Sequence, residues 1–105
     1  MVEIVWTEPA LSDLDALADY IALENPVAAQ KLVLRIFNHV EQLEDHPKSG
    51  SKPAELEGRN YRQIVEPPCR VFYRFDDTCV YILHVMRSEQ RLRASKLKRG
   101  TDRES

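Results

Sequence analysis

The chain has 105 residues, of which 43% are hydrophobic and 30% charged, with a formal net charge of -2 and a pI near 5.9. These values are typical of a globular domain and exclude a disordered chain or a membrane-spanning protein. We expect a single domain over residues 1–97 and a flexible tail over residues 98–105. Short apolar runs, and a start without a basic segment and a long hydrophobic stretch, favour a cytoplasmic location.

The two halves of the chain carry opposite charge. Residues 1–47 hold nine acidic side chains against two basic ones, whereas residues 48–105 hold thirteen basic against eight acidic. Carboxylates near helix N-termini and on solvated helix faces would explain the acidic half without any function. The molecule is therefore expected to have an acidic half and a basic half.

The first predicted elements are a short strand and an amphipathic helix. Residues 2–6 (VEIVW) alternate loosely and predict a strand. Thr7 is a suitable N-cap, and Pro9 is tolerated in the first helical turn because its missing N–H would have no partner there. Apolar residues at helical spacing then predict a helix that ends near Leu23, and they are Leu11, Leu14, Leu17, Ala18 and Ile21.

A second helix is predicted almost immediately afterwards. Asn25 and Pro26 repeat the signal of a cap followed by proline, and His46-Pro47 ends the element. Because only about two residues join the helices, they are expected to form an antiparallel hairpin. The apolar stripe of the second helix is the strongest periodicity in the chain and consists of Ala29, Leu32, Val33, Ile36, Phe37, Val40 and Leu43.

The remaining sequence predicts a polar loop and a β-meander. Residues 48–58 are rich in Ser, Gly, Pro, Lys and Glu, with Leu56 as their one large apolar residue, so a surface loop is expected. Residues 59–87 (RNYRQIVEPPCRVFYRFDDTCVYILHVMR) predict three antiparallel strands, with a turn at Pro67-Pro68 and a last strand that is apolar on both faces. The order is β-α-α-β-β-β, an α+β domain whose N-terminal helical hairpin packs on one face of an antiparallel sheet. The other sheet face is expected to be free.

The loop between the last two strands contains Asp76-Asp77. A two-residue hairpin loop would place Phe75 opposite Thr78. Cys69 and Cys79 would then face other residues and not each other, so two free thiols are expected.

Arginine alternates with apolar residues in the middle strand of the meander. Arg70, Phe72 and Arg74 fall on one face, and the residues between them point to the other. Guanidinium groups bind phosphates and carboxylates through paired hydrogen bonds, so such a face can dock on an anionic partner. Charges that only keep an exposed sheet soluble are the alternative explanation. The candidate partner-binding residues are Arg62, Arg70, Phe72, Arg74, Arg87, Arg91 and Arg93.

No constellation in the sequence predicts a catalytic or metal centre. The three glycines are isolated, and two cysteines without a Cys/His cluster give no metal site. His39 and His46 occupy structural or solvated positions on the second helix. His84 lies within the last strand, where a buried structural histidine is expected and not a general acid. We expect no metal, no cofactor and, on this interpretation, no catalytic residue.

These features together resemble the RelE/ParE superfamily of toxins from bacterial type II toxin–antitoxin modules. The resemblance covers residues 2 to about 93 and implies a RelE/ParE-like fold. It rests on IVWTEPALSDLDALADYIA, on the second helix that begins at Asn25-Pro26, and above all on YRQIVEPPCRVFYRFDDTCVYILHVMRSE.

Two branches of this superfamily differ in their chemistry. The RelE-like branch cuts messenger RNA on the ribosome. By this resemblance, Arg70 matches the strand arginine of its catalytic site, and Arg87 lies near the family's basic pair at the end of the last strand. The Tyr or His that often supplies the acid has no counterpart after Arg87, and a pI near 5.9 does not suit a ribosome-binding protein. The ParE-like branch poisons DNA gyrase without being an enzyme, and the chain is more similar to that branch.

The resemblance to the ParE-like branch also implies partners. These are DNA gyrase, trapped as its cleaved DNA complex, and a ParD-like antitoxin whose disordered segment wraps the helical hairpin and the sheet. No membrane contact and no direct sequence-specific nucleic-acid binding are expected. A ribosome-dependent mRNA endoribonuclease is the alternative function, and a decayed toxin that only binds its antitoxin is a third.

Overall fold

The computed structural model describes residues 2–56 and 58–89. The domain boundary expected at residue 97 and the tail expected over residues 98–105 lie outside the described residues. Short 3-10 turns cover Gln42–Glu44 and Ala54–Leu56. The main elements are β1 (Glu3–Trp6), α1 (Glu8–Ala22), α2 (Pro26–Glu41), β2 (Arg62–Glu66), β3 (Cys69–Phe75) and β4 (Cys79–Arg87), which confirms the predicted order and the α+β class.

Both helices begin at the predicted caps. The Ala10 N–H donates to Thr7 Oγ1 at 3.4 Å, and the Ala28 N–H donates to Asn25 Oδ1 at 3.0 Å. Each helix also has a proline in its first turn, where the missing N–H costs no hydrogen bond. These local signals fix where the hairpin turns, and so how α1 and α2 lie side by side.

Within the described residues, the strands form one mixed sheet in the order β1-β4-β3-β2. The meander is antiparallel as predicted and β4 is central, but β1 pairs with β4 in parallel. Thr7 fixes this pairing, since its N–H and its hydroxyl both donate to the Ile82 carbonyl, at 3.2 and 2.6 Å. The one residue therefore ends β1, caps α1 and attaches both elements to the central strand.

The loop between β3 and β4 is longer than predicted. Phe75 pairs with Val80 and not with Thr78. Asp76 closes the loop, because its Oδ1 accepts hydrogen bonds from the N–H groups of Cys79 at 2.9 Å and Thr78 at 3.2 Å. The same N–H groups, the Cys79 N–H most strongly, lower the pKa of the Asp76 carboxyl below its ordinary value.

A β-bulge shifts the register again further along β3 and β4. Tyr73 pairs with Ile82, whereas Phe72 pairs with His84, so Leu83 is the extra residue on β4. The predicted alternation along β4 therefore fails after Leu83, and Val85 lies in the core on the helix side. Both cysteines are free thiols, as predicted.

The main core lies between the helical hairpin and the sheet. Leu14 and Ile36 from the helices pack there with Val71 and Tyr73 of β3. The predicted apolar stripe of α1 is wrong at Leu11, which is 41% exposed. Ala10 takes the buried position, because a small side chain allows α1 to approach the sheet closely.

Tyr73 joins this core to the loop that follows α2. Its hydroxyl donates to the Pro47 carbonyl at 2.8 Å and accepts from the Gly50 N–H at 2.9 Å. A Cβ on Gly50 would lie only 2.5 Å from that hydroxyl, so a glycine is required at this contact. Burial raises the pKa of the Tyr73 phenol, which keeps the hydroxyl protonated as a donor.

We expect Tyr73→Phe to lower the free energy of unfolding by about 1–3 kcal/mol, because a buried N–H and a carbonyl lose their partner. Urea denaturation followed by circular dichroism measures the change. Tyr20→Phe is the matched control, since the Tyr20 side chain is 62% exposed. Equal midpoints for the two variants would show that the Tyr73 hydroxyl does not stabilise the fold.

Candidate functional site

Arg70 is held by a carboxylate from the loop that precedes β2. Its two terminal nitrogens donate to the two Glu55 oxygens at 2.9 and 3.3 Å, and Nη1 also donates to Gln63 Oε1 at 3.3 Å. The guanidinium carbon lies 5.0 Å from the centroid of the Phe72 ring. Only 12% of the Arg70 side chain is exposed, so its charge is largely neutralised within the chain.

The sheet face opposite the helices, called here the outer face, is covered in part. Residues 50–56, called here the strap, run from the edge of the sheet, where Ser51 pairs with Gln63, and bring Leu56 against Phe72, Leu83 and Met86. Phe72 is fully buried, so the prediction of a free second sheet face is wrong. The signal was present in the sequence, because a single large apolar residue in an otherwise polar loop indicates a side chain that packs back onto the domain.

The predicted arginines do not share one face. Arg74 lies on the outer face with Arg70, above the Tyr81 ring at 4.5 Å and 3.9 Å from Asp76. Arg62 pairs with Tyr73 across the sheet and therefore lies on the helix side. Its Nη1 donates to the carbonyls of Gly50 at 2.9 Å and Lys48 at 3.2 Å, which anchors the start of the strap.

Arg87 also lies on the helix side of the sheet. Its guanidinium carbon is 5.7 Å from the centroid of the Tyr20 ring on α1, and its Nε is 3.2 Å from Glu89. The side chain is 41% exposed and borders a cleft of about 330 Å³ that is also lined by Asp13 and His84. Arg91 and Arg93 lie outside the described residues, so their assignment stays a prediction.

His84 is buried, as predicted, and attaches β4 to α1. Its Nδ1 is hydrogen-bonded to Asp13, whose Oδ2 also accepts from the Val85 N–H at 3.3 Å. The ring stacks on Phe72 with centroids 6.1 Å apart, and its Nε2 has no partner among the described residues. With 3% exposure, this imidazole presents little surface to the cleft that it helps to line.

We expect Asp13→Ala to lower the free energy of unfolding by about 1–3 kcal/mol, because the His84 ring and the Val85 N–H both lose their acceptor. Thermal and urea denaturation measure this loss. Asp15→Ala is the matched control, since it removes an exposed carboxylate from the same helix. If Asp15→Ala lowered the free energy of unfolding as much, the cause would be the lost charge on the helix and not the lost hydrogen bonds to β4.

Five of the six exposed large hydrophobic side chains among the described residues lie on the helical hairpin. A groove of about 510 Å³ runs between α1 and α2, with Ala18, Ala22 and Ala29 among its lining residues. Asp19 lies at its edge and supplies negative charge. Tyr20, Leu23 and Val27 are exposed apolar side chains of the hairpin that lie outside the lining of this groove. The sequence prediction placed the antitoxin on the hairpin but missed Leu34, which lies off the core stripe, is 62% exposed and lines the surface of the groove. We call this surface the hairpin groove.

The described residues hold neither a cluster of metal ligands nor a membrane-spanning helix. Among the described residues, no three His, Cys, Asp or Glu side chains come together as ligands for a metal ion. In the same part of the chain, neither helix is long and apolar enough to cross a bilayer.

A helical hairpin on one face of a small mixed sheet matches solved structures from ParDE and RelBE toxin–antitoxin systems. The sequence profile of the ParE toxin of the type II toxin–antitoxin system parDE matches residues 4–92. The chain therefore belongs to the ParE toxin family, within the RelE/ParE superfamily, which confirms the predicted resemblance.

Individual relatives carry names from both branches of the superfamily. Toxin RelE2 of Caulobacter vibrioides is 35% identical over 86 residues, which span 81% of this chain and 93% of the relative. The chromosomal ParDE system of P. aeruginosa contains a chain with a TM-score of 0.71 and 30% identity, over 85% of this chain and 98% of that one. The toxin–antitoxin complex RelBE2 of Mycobacterium tuberculosis gives a TM-score of 0.57 and 26% identity, over 86% and 97% of the two chains.

Proposed function

We propose that this toxin inhibits DNA gyrase by stabilising the cleaved DNA complex of gyrase, and that a ParD-like antitoxin neutralises it. One observation supports gyrase over messenger RNA most strongly. Arg70 and Arg87, the two residues that would serve a ribonuclease, lie on opposite faces of the sheet, Arg70 against Glu55 and Arg87 against Tyr20.

Cleavage of RNA requires cations and an acid–base pair around a single phosphate. Here Arg70 is neutralised by Glu55, and His84 is enclosed between Asp13 and Phe72. A net charge of -2 also gives little attraction to the ribosome. A toxin that acts by binding a protein needs a complementary surface and none of these catalytic groups.

The hairpin groove supports the antitoxin part of this proposal. Exposed apolar side chains next to a concave surface are typical of helix-in-groove recognition. The acidic edge, which includes Asp19, favours a segment that carries Lys or Arg beside its apolar face. The solved relatives come from toxin–antitoxin systems, and we assign the same kind of partner to this chain.

The proposal predicts that purified toxin, incubated with gyrase, ATP and supercoiled plasmid, converts the plasmid to linear DNA after detergent and protease treatment. Adding the antitoxin first should abolish the linear product. A parallel reaction with topoisomerase I, which makes only single-strand breaks, is the enzyme control. Unchanged supercoiling activity and no linear DNA, with excess toxin, would contradict the proposal.

A ribosome-dependent mRNA endoribonuclease is the second candidate, and the similarity to a relative named RelE2 favours it. A ribonuclease of this kind should cut a translated message at defined codon positions and should not cut the same RNA without ribosomes. Arg87→Ala is the appropriate variant, because this exposed side chain can be removed without opening the strap.

A further inference from the structure

The hairpin groove has a single charged side chain in its lining, and that side chain is Asp19 on α1. Asp19 is exposed, and it forms no ion pair within the described part of the chain. It also lies in the last turn of α1, where a negative charge opposes the helix dipole and slightly destabilises the helix. Neither helix stability nor an internal ion pair therefore explains this carboxylate.

The rest of the groove is shaped to receive large apolar side chains. Ala18 and Ala22 are four residues apart and lie on the same side of α1. On α2, Ala29 is 5% exposed, whereas Leu34 is 62% exposed. The depression of about 510 Å³ between the helices fits the apolar face of a partner helix, whose side chains three and four positions apart can enter it together.

A helix that covers this groove also removes water from Asp19. A carboxylate that loses its hydration without gaining a partner weakens the complex, whereas a Lys or Arg of the partner replaces the lost water with an ion pair. The apolar lining alone would accept many amphipathic helices. The single charge therefore discriminates between partners that are equally apolar.

We propose that Asp19 determines which antitoxin this toxin accepts. The matching antitoxin segment is an amphipathic helix with a Lys or Arg beside the large apolar residues that enter the hairpin groove. The cation pairs with Asp19 while the apolar residues pack over Ala18, Ala22 and Ala29. An antitoxin with an acidic or uncharged residue at that position leaves Asp19 unpaired and binds weakly. This inference rests on the proposed antitoxin partner and adds the residue that controls its specificity.

The test compares the affinity of the purified antitoxin for wild-type toxin and for Asp19→Lys by isothermal titration calorimetry. Asp45→Lys is the matched control, because it makes the same change in net charge at an exposed residue beyond the end of α2, away from the groove. We expect Asp19→Lys to weaken binding at least about tenfold and Asp45→Lys to change it by about twofold or less. Asp19→Lys should retain the fold, because a cation is favourable in the last turn of α1.

Charge reversal in the antitoxin then identifies the residue that pairs with Asp19. Each Lys or Arg of the antitoxin is replaced by Glu in turn, and one of these variants should bind Asp19→Lys more tightly than it binds the wild-type toxin. An equal loss of affinity in Asp19→Lys and Asp45→Lys would overturn the proposal. So would a complete set of reversals in which no variant restores binding to Asp19→Lys.

The same titrations separate this inference from the proposed function. If the antitoxin did not bind the wild-type toxin, the proposed partner would be wrong, and the inference would fail with it. If it bound wild type and Asp19→Lys equally tightly, the antitoxin would remain the partner and only the role of Asp19 would be wrong. A loss of gyrase inhibition in Asp19→Lys with unchanged antitoxin affinity would also overturn the inference, because the groove would then serve gyrase.

Discussion

Phe72→Ala is expected to lower the free energy of unfolding by about 3–5 kcal/mol, because it empties the centre of the cluster on the outer face. Phe72 is fully buried against Leu56, Leu83 and Met86, and it supports both the Arg70 guanidinium and the His84 ring. Urea denaturation with circular dichroism detection measures the change. The strap should also lose protection from hydrogen exchange, because Leu56 loses its main contact.

Tyr20→Ala is the control for this experiment. It removes an aromatic side chain that is 62% exposed, and a surface substitution of this kind changes stability by about 0.5 kcal/mol or less. If Phe72→Ala proved no more destabilising than Tyr20→Ala, Phe72 would be an exposed docking residue, as the sequence alone suggested. The strap would then not cover the outer face.

The second large effect is expected for substitutions on the helical hairpin, which should weaken antitoxin binding. We expect Leu23→Gln together with Leu34→Gln to weaken antitoxin binding by about 100-fold, or ~2.7 kcal/mol, because Leu34 lines the groove and Leu23 is a further exposed apolar side chain of the same hairpin. Leu23 is 83% and Leu34 62% exposed, so the fold should be unaffected. Isothermal titration calorimetry with the purified antitoxin measures the loss.

Val65→Gln is the matched control for the groove, because Val65 is 47% exposed on the edge strand β2, away from the helices. It should leave the antitoxin affinity unchanged. The groove variant should also remain toxic in cells that express the antitoxin, since the antitoxin no longer neutralises it. Undiminished affinity of the double variant would place the antitoxin on another surface.

The parts of the fold that depend on local chemistry could be predicted from the sequence. Thr7 and Asn25 mark the starts of both helices because a cap and a nearby proline act within a few residues. The three strands of the meander could be predicted in the same way, because apolar and polar residues alternate along each of them. The parallel pairing of β1 and the bulge after Phe72 depend on contacts between distant segments, which the pattern of apolar residues does not encode.

The site shows the same division between local and distant chemistry. Alternation correctly placed Arg70, Phe72 and Arg74 on one face of β3. It could not show that Glu55 would neutralise Arg70, because that pair joins the strap to a strand fifteen residues away. Helical periodicity located the core of the hairpin, but it did not show that Leu34, outside that periodicity, lines the hairpin groove together with Ala18 and Ala29.

The most direct test of the proposed target is a measurement in cells that express the toxin without its antitoxin. The same culture is assayed for expression from a DNA-damage-inducible promoter and for the incorporation of labelled amino acids into protein. A gyrase poison predicts early induction of the damage reporter and filamentous cells while protein synthesis continues. Immediate arrest of protein synthesis, with cleaved messenger RNA and a silent damage reporter, would contradict the account.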